Sequence, residues 1–319
     1  MMPYRPGSGV IIMKNKKMLG NLLLILTAVI WGTAFVGQRT GMESIGPVTF
    51  NAARMILAAA AVGAVAFIAA QKEKSRLSSH PPEEIRKYRK ETIIGGILCG
   101  VFLTAASLFQ QAGVVYTPAG KAGFITAMYM LLVPVINFVV FRKKNTWLVW
   151  TAVLTGVAGM YLLCVTDGLN LTYGDTLVCI CAFLFSCHIL CCDRFVQSGD
   201  PVMISAIQFA TAAVISTVSA FILEVPEWDG IVAAAVPILY CGIVSGGIGY
   251  TLQIVAQKFT DPTIASLLLS LESVFAVIAG AILLQERMTP QEMLGCLIMF
   301  IAIIMVQIPL PSGKKDKDL

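Results

Sequence analysis

The stretch ASLLLSLESVFAVIAGAILL, residues 265–284, decides the fold. Its twenty residues are apolar or small except for one glutamate, Glu272. A helix of that length spans the hydrocarbon core of a bilayer. A lone carboxylate near the midplane costs about 2.5 kcal/mol or more on insertion scales. Either something offsets that cost or the group stays protonated, which makes Glu272 the most informative residue of the span.

Composition places the rest of the chain in the same class. Hydrophobic residues are 57% of the 319 and charged residues only 13%, with a mean hydropathy of +0.81. Soluble domains carry about 25% charge. The reading is an all-α polytopic membrane protein. Apolar runs recur at 19–38, 46–70, 92–115, 119–141, 145–165, 173–193, 201–223, 231–257, 262–284 and 290–308, which gives ten expected transmembrane helices. Residues 1–18 and 309–319 are left as tails. Within the first tail, MKNKKMLGN begins a second start-like segment at Met13, a candidate natural start, with residues 1–12 as an extension. No cleavable signal peptide is evident, because the Lys-rich flank leads straight into a full-length span.

Basic residues assign the sides. Nineteen of them fall on one side: in the N-terminal tail, the 71–91 connection, the 142–144 turn, Arg194, Lys258 and the C-terminal tail. Only Arg39, Lys121 and Arg287 fall on the other. Both termini are therefore expected in the cytoplasm, with the protein in the inner (cytoplasmic) membrane. The net charge of +5 comes mostly from loops and suits lipid headgroups rather than nucleic acid. The nine cysteines lie in apolar runs, where they read as small packing side chains and not as a disulfide framework.

The two halves can be laid over one another. Residues 31–54 match 185–208 without gaps at an offset of 154, pairing Pro47 with Pro201 and Arg54 with Gln208. Further on the offset is 143, pairing Gln110 with Gln253, Thr117 with Thr260 and Tyr129 with Glu272. Each half, 19–165 and 173–308, holds five spans. An odd number forces the second copy to enter the membrane from the opposite side. Inverted repeats of this kind recur in secondary transporters, where exchange of the two shapes gives alternating access.

The stretches AVIWGTAFVGQ (28–38), QQAGVVYTPAGKAGFITAMYMLLVPV (110–135) and SLESVFAVIAGAILLQERMTPQEMLG (270–295), in their order and spacing, resemble the EamA-type family of the drug/metabolite transporter superfamily. The resemblance covers about residues 19–308. It implies ten helices with both termini inside and transport of small organic solutes, often outward. Many relatives carry a proline directly after the glutamate of the ninth span. This chain has Ser273 there, which predicts loss of a kink.

Candidate site residues follow from depth. Glu272 lies roughly 15 Å into its span and Arg54 roughly 12 Å below the outer face, so the two can meet near the midplane. Arg54 could hold the carboxylate by a bidentate contact, as a structural pair or as part of a transport site. A carboxyl that binds and releases a proton during the cycle would couple flux to protons. Trp31, Tyr129 and Tyr250 could offer flat faces with one polar handle each. Asn51 sits one turn from Arg54, and His188 is one of two histidines. Each of these has plain helix packing as its competing role. Gln110 and Gln253 are placed nearer opposite faces, where they could close the two ends in turn or cap helix contacts.

A metal reading rests on Cys187, His188, Cys191 and Cys192. It needs three or four converging ligands, and only part of this set shares a helix face, so no metal or cofactor is assigned. The chain holds no HExxH, GxSxG, P-loop or DxD-like pair, and the QER fragment at 285–287 reads as a helix cap, so it is not read as an enzyme. It shows neither a ring of like charge nor a repeated filter of the kind channels use. The expectation is a secondary transporter that exports small metabolites, as a monomer or homodimer. A paired plus and minus charge would suit amino acids or related zwitterions. Import, a channel or a metal-linked membrane protein are the alternatives.

Overall fold

The computed structural model describes residues 8–77, 81–117, 119–164, 172–283 and 289–307. The QER fragment at 285–287 lies outside them. The first half consists of α1 (Ser8–Gly41), α2 (Pro47–Leu77), α3 (Pro82–Tyr116), a fourth span in two pieces, α4 (Ala119–Ala127) and α5 (Tyr129–Phe141), and α6 (Trp147–Cys164). The second half opens with α7 (Tyr173–Val196) and α8 (Pro201–Leu223). Its eighth span comes in pieces, α9 (Trp228–Ala233), α10 (Ala235–Leu239), a π-helix (Tyr240–Tyr250) and α11 (Thr251–Gln257). The ninth is α12 (Pro262–Leu269) and α13 (Glu272–Leu283), and the tenth is α14 (Pro290–Gln307).

Among the described residues, eight segments are long and apolar enough to cross a membrane, and the shorter apolar helices Trp147–Leu162 and Met293–Met305 fall at the fifth and tenth expected spans. No strand occurs among the described residues. Proline opens α2, α3, α8, α12 and α14, where its missing N–H removes no helical bond. Asp200 and Asp261 cap α8 and α12 through their carboxylates. Large apolar side chains such as Phe67, Val139, Phe221 and Ile222 face outward, as a lipid-facing surface requires.

The halves are related by exchange. α2 packs on α8 and α6 on α14, each against its own counterpart. α3 lies along α7, as the eighth span lies along α1; α13 and α12 flank α1, as α4 and α5 flank α7. Contacts that swap into one another when the halves are exchanged define a pseudo-two-fold axis between inverted copies.

The relation reaches single hydrogen bonds. Thr117 Oγ1 donates to Asp175 Oδ1 at 3.2 Å, and Thr260 Oγ1 donates to Asn21 Oδ1 at 3.1 Å. Position 117 corresponds to 260, and position 21 to 175. The two bonds therefore tie opposite ends of the bundle. Gly20 and Gly174 also correspond, and a Cβ on either would collide with the threonine hydroxyl of its own latch. Glycine is what lets each pair of helices approach that closely.

Three local features depart from the sequence reading. The connection 71–91 is largely helical, because α2 and α3 run on through Lys- and Glu-rich sequence of good helix propensity. The eighth span is not one regular helix: Gly242, Gly246, Gly247 and Gly249 weaken the α-helical ladder where α1 and α2 press against it, and a π-helix results. The third concerns the expected loss of a kink at Ser273, because the ninth span is interrupted at Ser270–Leu271 without proline. Ser266 Oγ and Ser270 Oγ donate to the carbonyls of Thr263 and Leu267, three residues back, at 2.9 and 2.7 Å. Leu271 N and Ser273 N bond three residues back as well. Serine hydroxyls that bond the preceding turn bend a helix in place of a proline.

Candidate functional site

A narrow cleft of about 40 Å³ lies between the two halves. Its walls come from α1, α2, α3, the broken fourth and ninth spans, α7 and the eighth span. Of the residues singled out in the sequence, Trp31, Arg54, Gln110, Tyr129, His188, Tyr250, Gln253 and Glu272 line it. Asn51 does not. It stands behind Arg54, fully buried.

Glu272 is the first residue of α13 and Tyr129 the first of α5, so both follow a helix break. The Tyr129 hydroxyl donates to Glu272 Oε1 at 2.9 Å. The two corresponding positions of the repeats thus touch across the pseudo-axis. A half-helix N-terminus near the midplane favours negative charge through its free N–H groups.

The expected Arg54–Glu272 contact is not formed: no ion pair joins them among the described residues. The guanidinium is turned along its own helix instead. Its Nε and Nη2 donate to Asn51 Oδ1 at 3.1 and 2.9 Å, and Asn51 Nδ2 donates to Ser216 Oγ at 3.0 Å. The Phe50 ring packs 5.9 Å from the guanidinium carbon. A two-pronged hold by one neighbouring amide fixes the plane of the guanidinium and, among the described residues, leaves three of its five N–H donors uncommitted. A guanidinium and a carboxyl share the cleft, each held by a neutral partner.

The opposite wall is aromatic. Trp31 and Tyr250 stand 4.5 Å apart between ring centroids, with His188 and Phe209 each 5.8 Å from Tyr250. The Trp31 indole N–H donates to the Ser245 carbonyl in the π-helix at 3.1 Å. His188 Nε2 meets Gln208 Oε1 at 3.0 Å.

Gln110 and Gln253 line the cleft itself. Gln110 Nε2 approaches Thr126 Oγ1 at 3.5 Å, and Gln253 Nε2 donates to Gln257 Oε1 at 3.2 Å. The bonds that tie the two ends are those of Thr117 and Thr260. Sequence reasoning missed Phe35, Gln38 and Phe185 in the wall. Trp31, Phe35 and Gln38 recur at i, i+4 and i+7, a stripe that was legible. Phe185 is the repeat counterpart of Trp31. Ser245 contributes through its backbone, which no side-chain pattern announces. The Oε1 atoms of Gln38 and Gln253 are buried without a hydrogen-bond partner among the described residues.

Comparison with known proteins agrees with this architecture. The sequence profile of the EamA-like transporter family matches residues 18–165 and again 172–308. An "Uncharacterized transporter" of Archaeoglobus fulgidus is 26% identical over 293 residues, covering 92% of this chain and 87% of that one. The "Uncharacterized transporter YoaV" of Bacillus subtilis is 23% identical over 295 residues, covering 91% and 96%. One crystal structure shares the fold with a TM-score of 0.71 at 15% identity, covering 92% of this chain and 96% of its own.

Proposed function

Because the chain belongs to the EamA-like transporter family, and is thus a multi-pass membrane transporter, we propose that it exports small zwitterionic metabolites, such as amino acids, by alternating access. The observation that carries this reading is that Arg54 and Glu272 line one cleft without pairing. Arg54 offers spare donors to a solute carboxylate, in the forked geometry that favours such recognition. Glu272, with the free amide oxygens of Gln38 and Gln253, offers acceptors to an ammonium group. The rings of Trp31, Phe35 and Tyr250 offer flat apolar faces to the remainder.

Nineteen basic residues against three support cytoplasmic termini in the cell membrane. In that orientation the Asn21–Thr260 bond closes the inner end and the Asp175–Thr117 bond the outer end. Breaking one while the other holds would expose the cleft to one side at a time. Proton exchange at Glu272 supplies the coupling in this reading. Collapsing a pH gradient at constant voltage should slow flux into liposomes, and unchanged flux would remove protons from the cycle.

The test is release from cells expressing wild type, Glu272→Gln or neither, at matched membrane levels. A zwitterion that accumulates in the medium only with wild type supports the proposal and names the substrate. Equal release with wild type and Glu272→Gln would place the binding chemistry elsewhere. Depletion of a solute from the medium would reverse the direction to import.

A further inference from the structure

Behind the cleft wall, α3 and α7 bring together three sulfur atoms and an imidazole that the transport reading does not use. Cys99 comes from α3, and His188 and Cys192 from one turn of α7; all three are fully buried. Cys99 Sγ and Cys192 Sγ are 3.6 Å apart. Cys192 Sγ lies 3.5 Å from His188 Nε2 and 4.0 Å from Nδ1. The three ligand atoms all lie within 4.8 Å of one another. Cys191 Sγ is 3.4 Å from Cys99 Sγ but outside that group. Cys187, the other cysteine of the sequence cluster, is outside it too, and the third ligand comes from a different helix.

We propose that Cys99, Cys192 and His188 form an intramembrane site for one Zn(II) ion. A tetrahedral ion with Zn–S near 2.3 Å and Zn–N near 2.05 Å sets ligand atoms about 3.8 Å apart for two sulfurs and about 3.6 Å for sulfur and nitrogen. The Cys99–Cys192 separation of 3.6 Å and the Cys192 Sγ–His188 Nε2 separation of 3.5 Å lie close to these values, and the Cys99–His188 pair lies within 4.8 Å. Thiolate and imidazole donors select a thiophilic d10 ion and disfavour magnesium or calcium. Charge balance selects Zn(II) within that class. Two thiolates neutralise it completely, as a site surrounded by apolar helices requires. Binding converts two thiols to thiolates and releases two protons, which leave by the cleft that His188 lines. Nε2 is the ring nitrogen nearer Cys192 Sγ, so metal binding there exchanges its contact with Gln208 Oε1 at 3.0 Å for the ion. A water would complete the tetrahedron. The ion would staple α3 to α7 beside the cleft.

The test uses the full-length protein purified in detergent with its thiols kept reduced and counted. Zn(II) is titrated and measured by elemental analysis, and Co(II) serves as a spectroscopic substitute. Wild type should bind one equivalent and show thiolate-to-cobalt charge transfer with the d–d bands of a tetrahedral ion. Cys99→Ser and Cys192→Ser should each weaken binding by roughly 100-fold or more. Cys191→Ser should bind within about 3-fold of wild type. Wild type that binds neither ion with its thiols reduced overturns the proposal, whether or not the variants fold. So does unchanged binding in Cys99→Ser and Cys192→Ser, or uptake of Cu(I) alone.

Discussion

The Tyr129 hydroxyl donates to Glu272 Oε1 at 2.9 Å, and the two residues occupy the same position in the two inverted repeats. Each begins the second half of a broken span. The repeats are thus chemically unequal at the point where they meet: one supplies a phenol, the other a carboxyl. Tyr129→Phe removes the donor and leaves a buried oxygen without a partner, at a cost of about 1–3 kcal/mol. Transport should fall by roughly 10-fold or more and thermal stability by a few degrees. Glu272→Gln keeps an acceptor for Tyr129, so it should hold wild-type stability while losing transport. Tyr129→Phe protein with wild-type flux and stability would show that the contact is incidental.

Asn51 sets the plane of Arg54 without reaching the cleft. Asn51→Ala should therefore raise KM by roughly 10-fold with a smaller change in kcat, a loss of about 1.4 kcal/mol of solute binding. Flux measured against solute concentration separates the two parameters. Unchanged KM with only a lower melting temperature would reduce Asn51 to a packing residue.

The two threonine latches make a paired prediction. Thr117→Val and Thr260→Val each remove a bond worth about 1 kcal/mol, and so should shift the balance between open ends by roughly 5-fold, in opposite directions. An impermeant thiol reagent, applied to cysteines introduced near either end in a background where native thiols are unreactive, reads the shift. Labelling that moves the same way in both variants would contradict the exchange of the halves.

Ser273 is the second residue of α13, where a proline forfeits only the Ser273 N–H bond to the Ser270 carbonyl at 3.2 Å. Ser273→Pro should retain transport within about 3-fold. Val277→Pro, one turn further into the same helix, should destabilise it by about 3 kcal/mol or more and abolish membrane expression. Comparing the two by expression and flux locates the break functionally. Equal failure of both would mean that α13 is continuous through residue 273 in the working protein.

Much of this architecture was legible in the sequence because a bilayer enforces it. Hydropathy alone marks spans, and the offset between halves marks the repeat, since both depend on long segments rather than single residues. The cleft was legible in part. Charges and aromatics deep in apolar runs are costly unless they face a cavity, which is why Glu272, Arg54, Trp31 and Tyr250 were found. What they touch was not legible. Opposite charges predicted an Arg54–Glu272 pair, but an arginine can satisfy itself one turn away at Asn51, and only geometry decides between the two. The π-helix was hidden too, because four glycines in one span permit several backbones, and packing against α1 and α2 selects among them. The partnership of Cys99 with His188 and Cys192 spans about ninety residues of sequence, beyond any spacing rule.

The most direct measurement is counterflow in liposomes, with the solute identified by release. Wild-type protein preloaded with unlabelled solute should accelerate entry of the labelled form, and Glu272→Gln and Arg54→Gln should abolish the acceleration while remaining folded. Exchange by both variants at the wild-type rate would contradict a solute site between Arg54 and Glu272.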